Sequence, residues 1–337
     1  MTANGKPKFA MYWAAACGGC EIAVLNIHEK ILDVDANFEV VFWPVAMDAK
    51  YKDVEAMPDQ SITLCLFNGA IRNSENQHIA ELLRRKSKIL VAFGSCACEG
   101  GFPALSNLTT REETLRTAFS TVSTDNPQNI LPQPSYAVPE GELVIPHMYS
   151  VVRPLDQAVP VDYYMPGCPP ESEQIAAVVE LVIKALKGEA TLPVAGSVIG
   201  AGHSTVCDEC TRTRNEKKIT AFTRIQDFRP DPTLCLLEQG LLCNGPATRN
   251  GCSARCPIAG VPCVGCYGPT DVARDFGGRL MSGVASVIDS TDPQEIERIL
   301  DGIPDPVGSF YHTNLAGSLL QASKPTWEEE QHAAHHD

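Results

Sequence analysis

Fourteen cysteines, gathered into short clusters, constrain this 337-residue chain more than any other feature. Cys17 and Cys20 bracket two glycines in "CGGC", Cys96 and Cys98 lie in "GSCACEGG", and Cys168 lies in "PGCPP". Eight more fall between residues 207 and 266, at Cys207, Cys210, Cys235, Cys243, Cys252, Cys256, Cys263 and Cys266. Thiols this numerous in a long, intracellular type of chain point to metal ligation rather than to disulfides.

The eight divide into two sets of four, Cys207, Cys210, Cys235 and Cys243, and Cys252, Cys256, Cys263 and Cys266. The first half offers a third set, Cys17, Cys20, Cys96 and Cys168, leaving Cys65 and Cys98. Four cysteine sulfurs, one per iron, complete a cubane iron–sulfur cluster. Such a cluster is anionic and needs backbone N–H groups close by, and glycine permits that approach. Glycine stands beside cysteine in "CGGC", "GSCACEGG", "PGC", "CNGP" and "VGCYG". Zinc is the competing reading, because four-cysteine zinc sites also use C-x-x-C knuckles. Zinc ribbons pair two such knuckles, whereas here each is joined by isolated cysteines, and Cys168, Cys256 and Cys263 have proline neighbours that fit cluster-binding sequences. A redox dithiol at Cys17 and Cys20 suits a strand–helix junction, but leaves the other cysteine sets unexplained.

Several apolar runs end at these cysteines. "KFAMYWAAAC", "FEVVFWPVA", "SITLCLFNGAI", "KILVAFGSCAC" and "VDYYMPGC" read as strands. Helical periodicity falls between them: at residues 20–34, with Ile22, Leu25, Ile27, Ile31 and Leu32 as a stripe; in "ENQHIAELLRRKSK"; at Arg111–Ser120; and in "PPESEQIAAVVELVIKALKG". This alternation predicts an α/β fold with a flavodoxin-like open parallel sheet. Ligands of such sheets sit outside the carboxyl ends of the strands, where Cys17, Cys96 and Cys168 fall. No hydroxyl- or glycine-rich phosphate loop occupies the first turn, so no flavin is expected. Residues 121–160, rich in Pro, Ser, Thr and Asn, read as a long excursion of the functional or interface kind.

From about residue 195 the alternation fades. We therefore expect residues 1–194 to form the flavodoxin-like domain around one cysteine set, and residues 195–337 a small, irregular, mostly helical domain around two. Metal binding can supply the stability that apolar periodicity does not. Helices are expected at "DVARDFGGRLMSGVASVI" and "DPQEIERIL", and a solvated tail at "TWEEEQHAAHHD".

A net charge of −14 argues against nucleic acid. No apolar run reaches the ~18 residues of a membrane span. "MTANGKPKFAMYW" has neither an apolar signal core nor a twin-arginine pair, so a cytoplasmic protein is expected.

"CGGCE", "GSCACEGG" and "PGCPP" resemble the three proximal-cluster segments of nickel–iron hydrogenase small subunits. A small cluster-bearing subunit of respiratory complex I shares that core, but it has adjacent cysteines at the first site and no second cluster domain. The resemblance implies a 4Fe–4S proximal cluster on Cys17, Cys20, Cys96 and Cys168. Cys98 competes with Cys96, since strand alternation puts both on one face; the family's G-x-C-A pattern selects Cys96. The resemblance further implies a distal cluster on Cys207, Cys210, Cys235 and Cys243, with Cys207 standing where many relatives carry histidine. His203 is nearby at a different spacing and reads as an ordinary polar residue. Many relatives replace one medial ligand by proline and hold 3Fe–4S; Cys256 near that place implies a third 4Fe–4S cluster on Cys252, Cys256, Cys263 and Cys266.

All-cysteine distal ligation, the missing export signal and "CLLEQGLLCNGPATRNGC" resemble the cytosolic methyl-viologen-reducing type, linked to heterodisulfide reductase. The implied role is an electron-transfer subunit of an oxidoreductase, with a hydrogenase-type large subunit on one side and a small iron–sulfur adaptor on the other. No nickel-binding C-x-x-C pair occurs near the C-terminus, so this chain carries electrons only and has no catalytic residue of its own. An alternative keeps the relay but gives it a hydrogenase-like large subunit without nickel, acting on another substrate. Glu21 follows Cys20; the family links a glutamate here to proton movement, while a helix N-terminus favours an acid in any case. Cys65 and Cys98 read as core thiols, His28 and His78 as structural or surface residues, and "RTRNEKK" as a solvated basic patch of the kind that docks an acidic electron carrier.

Overall fold

The computed structural model describes residues 5–215 and 218–320. The tail expected to be solvated lies outside the described residues, as do residues 216–217 of the basic run.

Six strands form the main sheet: β1 (Lys8–Trp13), β2 (Glu39–Phe42), β3 (Ile62–Asn68), β4 (Ser87–Phe93), β5 (Tyr163–Met165) and β6 (Ser197–Val198). Their spatial order is β6-β5-β4-β3-β1-β2, and every pairing is parallel. From β2 onward this is 2-1-3-4-5, the flavodoxin-like order, with one strand added at the far edge. Central strands of such a sheet are buried on both faces and so read as continuous apolar runs. Phe9 and Met11 of β1 join Leu66 and Val91 against one helical layer. Ala10 and Tyr12 join Phe67 and Leu90 against the other.

The helices that matter for the site are α1 (Gly19–Leu25), α2 (Ser74–Lys86), α3 (Ser95–Glu99) and α4 (Ser172–Leu186). The Asn73 side chain caps α2 by accepting from the Asn76 amide at 2.8 Å. Ile79, Leu82 and Leu83 of α2 cover one sheet face, and Ile175, Val178 and Val182 of α4 cover the other.

Two expectations need correction, and a third gains detail. The helix expected over residues 20–34 is two helices. The chain leaves α1 after Leu25, passes His28 with φ at +57°, and resumes as a helix over Ile31–Asn37. Within α1 the buried residues are Cys20, Glu21, Ala23 and Val24, so Ile22 and Leu25 stand 60% and 54% exposed. Next, β4 stops at Phe93; Cys96 and Cys98 sit on α3, where strand alternation does not apply. Finally, the excursion after β4 holds regular structure of its own. Ser135–Val138 and Gly141–Val144 form a hairpin, and Met148–Arg153 pairs antiparallel with Ile71–Asn73.

Beyond β6 a separate hydrophobic cluster includes Val206, Leu236, Leu241, Phe276, Leu280, Phe310 and Leu315. Two expected helices form there, Phe276–Ala285 and Pro293–Leu300, started by the side chains of Asp275 and Asp292. Tyr267, 2% exposed, fastens this part to the N-terminus of α4. Its hydroxyl accepts from the Glu171 amide at 3.1 Å and donates to Gln174 Oε1 at 2.7 Å.

Candidate metal centres

The carboxyl edge of the sheet gathers the first cysteine set. β1 runs out at Trp13, and the next turn carries Cys17 and delivers Cys20 to the first turn of α1. Gly18 takes φ +82° in that turn, with the Trp13 ring beside it. β4 leads through Gly94 into α3 with Cys96, and β5 leads through Gly167 to Cys168. The last two loops are tied together: Gly94 donates to the Met165 carbonyl at 2.8 Å, and Ser95 donates to the Gly167 carbonyl at 2.7 Å.

These four thiols are close enough to feel one another. Burial, then Cys96, Cys168 and Cys17, hold the Cys20 thiol far above its ordinary range. Burial, with Cys168 and Cys17, pushes Cys96 up to about 12. Cys168 is raised by burial and then by Cys17. As free thiols Cys20, Cys96 and Cys168 keep their protons, and a metal would replace those protons with positive charge.

The surrounding glycines fit a bulky anionic group. A Cβ on Gly94 would lie 2.4 Å from Cys20 Sγ, and one on Gly101 would lie 2.6 Å from Cys96 Sγ. At Gly245 a Cβ would stand 3.3 Å from Cys207 Sγ and 3.7 Å from Cys243 Sγ. Backbone thus closes on the sulfurs where side chains would stand, the cradle that "GSCACEGG" and "CNGP" foreshadow.

Cys207, Cys210, Cys235 and Cys243 line one cavity. Burial, then Cys243 and Cys235, push Cys207 up to about 12, and burial takes Cys243 to about 11 against the opposing amides of Gly245 and Cys263. Cys252, Cys256, Cys263 and Cys266 line a second cavity of about 470 Å³, which Cys168 and Tyr267 also border. There burial, then Cys168 and Cys252, push Cys266 up to about 12. Among the described residues no three His, Cys, Asp or Glu side chains converge as a single metal ion would need. The two sets of the second half instead stand around cavities.

The sets touch in a definite order. Cys168 of the first set faces Cys266 of the set beginning at Cys252. Cys263 of that same set donates its backbone N–H to Cys243 Sγ at 3.3 Å, which reaches the set beginning at Cys207. The set that comes last in sequence therefore lies between the other two.

Other residues fall away from the cysteines or beside them. His203 pairs with Asp271 at 2.5 Å. Cys65 is fully buried on β3, and Cys98 is buried with its thiol donating to the Ala92 carbonyl at 3.3 Å. His78 lies near Glu55 on the surface. Glu21 is 3% exposed and accepts from the Trp43 indole. Burial raises its pKa against the opposing hydrogen bonds of Trp43 and Asn68. Trp43 and Thr248, which touch this chemistry, carry no cysteine-like spacing and are invisible to motif reading.

Several known proteins are similar to this chain along most of its length. A family model described as NADH ubiquinone oxidoreductase, 20 Kd subunit, matches residues 17–182, the span holding the first cysteine set. The iron-sulfur subunit of the F420-non-reducing hydrogenase of Archaeoglobus profundus is 40% identical to this chain, covering 93% of it and 97% of that protein. The corresponding vhu hydrogenase subunit of Methanocaldococcus jannaschii, also F420-non-reducing, is 38% identical, covering 93% and 96%. Its counterpart in the F420-non-reducing hydrogenase of Methanothermobacter marburgensis is 35% identical, covering 94% and 96%. Each likeness covers more than nine-tenths of the chain, and the chain belongs to the family of F420-non-reducing hydrogenase iron–sulfur subunits, the small subunits of hydrogenase complexes.

Proposed function

We propose that this chain conducts electrons as the small subunit of a cytoplasmic nickel–iron hydrogenase, through three 4Fe–4S clusters. Cys17, Cys20, Cys96 and Cys168 would hold the proximal one, Cys252, Cys256, Cys263 and Cys266 the medial, and Cys207, Cys210, Cys235 and Cys243 the distal. When bound, each cluster would take up and release single electrons. The chain's own residues supply the thiolates, the glycine cradles and the spacing. The observation that carries this reading is the contact order, Cys168 against Cys266 and then Cys263 against Cys243, a continuous path through all three sets. The division near residue 194 belongs to the same proposal, supported by the separate hydrophobic cluster beyond β6.

The large subunit would dock at the sheet's carboxyl edge, where exposed Cys17 stands beside exposed Trp13, Ile22 and Leu25. At this end Glu21, whose pKa burial raises, would hold a proton. At the other end a small iron–sulfur adaptor would pass electrons on to heterodisulfide reductase. No described helix is long and apolar enough to cross a membrane.

The test is metal analysis of the purified complex. We expect about twelve irons and as many acid-labile sulfides per chain, with nickel in the partner and hydrogen uptake. Intact clusters without nickel would favour the alternative large subunit acting on another substrate. Zinc in place of iron would overturn the relay, and a stoichiometric 3Fe–4S signal would overturn Cys256 as a medial ligand.

A further inference from the structure

The crossing between Cys263 and Cys243 contains a side chain that neither cysteine set requires. Thr248 is 1% exposed. Its Oγ1 lies 3.4 Å from Cys263 Sγ and 2.7 Å from the Asn244 carbonyl oxygen, and the residue lines the cavity shared by Cys252, Cys256, Cys263 and Cys266. A hydroxyl has one proton to give. While Cys263 is a free thiol, its S–H donates to Oγ1 and the hydroxyl donates to Asn244. A metal-bound sulfur has no proton and only accepts, so the hydroxyl is free to rotate onto it. The Asn244 carbonyl is not orphaned by that turn, because it also accepts the Thr248 backbone N–H at 3.2 Å.

We propose that Thr248 is a positioning residue whose hydroxyl donates to the ligated Cys263 sulfur and raises the reduction potential of the cluster held there. This rests on the cluster reading given above. Hydrogen bonds to cluster sulfurs are one of the protein's means of setting potential, because they stabilise the added negative charge of the reduced state. Since the Cys263 amide also binds Cys243 Sγ, Thr248 adjusts the free-energy step between the two neighbouring clusters.

The experiment compares wild-type complex with Thr248→Val, Thr248→Ala and Thr248→Ser, by iron and sulfide content and by an EPR-monitored dithionite titration. For Val and Ala we expect full iron and one midpoint moved down. At a fixed potential the reduced-to-oxidised ratio should fall about tenfold, ~59 mV for one electron. Thr248→Ser, which keeps the hydroxyl, should hold the wild-type midpoint. Ala leaves the test open to a result should Val disturb packing. Unmoved midpoints in iron-replete Val or Ala variants overturn the proposal, as does a Ser variant shifted equally. Wild-type complex without cubane signals would overturn the cluster reading itself, which the iron content shows independently of any variant.

Discussion

The sulfur of Cys20 stands where a side-chain carbon on residue 94 would have to be, 2.4 Å from the ideal Cβ position of Gly94. Gly94 also takes φ +86°, a backbone region that L side chains rarely adopt. Gly94→Ala is therefore expected to displace Cys20 and empty the first site. Iron analysis should show a loss of about four irons per chain with the other two clusters kept. Full iron in Gly94→Ala would show that the site does not depend on this approach.

Cys96 and Cys98 share α3, yet Cys96 feels two first-set thiols, Cys168 and Cys17, whereas Cys98 feels Cys20 alone, after Glu99 and Asp156. Cys98 is buried and hydrogen-bonded to Ala92. Cys96→Ser should lose the proximal cluster, whereas Cys98→Ala should keep every iron and cost about 1 kcal/mol of stability. Iron content and thermal melting of the two variants separate these roles.

Trp43 hydrogen-bonds the buried carboxylate of Glu21 and so opposes the upward pull of burial on its pKa. Trp43→Phe removes that donor and should raise the Glu21 pKa further. The protonated carboxyl band in the infrared, identified by its absence from Glu21→Gln, should persist to higher pH in Trp43→Phe than in wild type.

Glu99 ends α3 and faces a cavity with Asp156, Tyr164 and Arg249. Burial, with the charge of Asp156, pushes its pKa up to about 8 against the opposing Arg249. A carboxyl whose folded pKa is raised binds more protons folded than unfolded, so its stabilising effect is full below the ordinary carboxyl range and is lost as pH rises towards about 8. Between pH 6 and pH 9 the wild-type melting temperature should fall relative to Glu99→Gln by at least about 1–2 °C, the shift that ~1 kcal/mol produces in a chain of this size. Parallel pH profiles for the two proteins would refute the assignment.

The central sheet was legible because its strands are buried on both faces and declare themselves as apolar runs, from "KFAMYW" to "VDYYM". The hydrogenase resemblance was legible because cysteine and glycine stand at fixed offsets in "CGGCE", "GSCACEGG" and "PGCPP", and the relatives bear it out. What escaped depends on backbone choices that side-chain periodicity does not encode. His28 breaks one amphipathic stripe by taking a positive φ. β6 is two residues long and has no run of its own. Ser95–Glu99 becomes a helix because the chain turns at Gly94, although its residues continue the apolar pattern of β4. Thr248 matters through the contacts at its hydroxyl, which no local motif announces.

The spatial order of the cysteine sets also bears on how such a chain is assembled. Sulfurs between Cys252 and Cys266 sit between two groups that precede them in sequence. If these sets hold the proposed relay, both of its ends emerge during synthesis before its middle. A chain halted after Arg249 would then own the two outer sites with a gap between them, and the link would come only with the cysteines that follow.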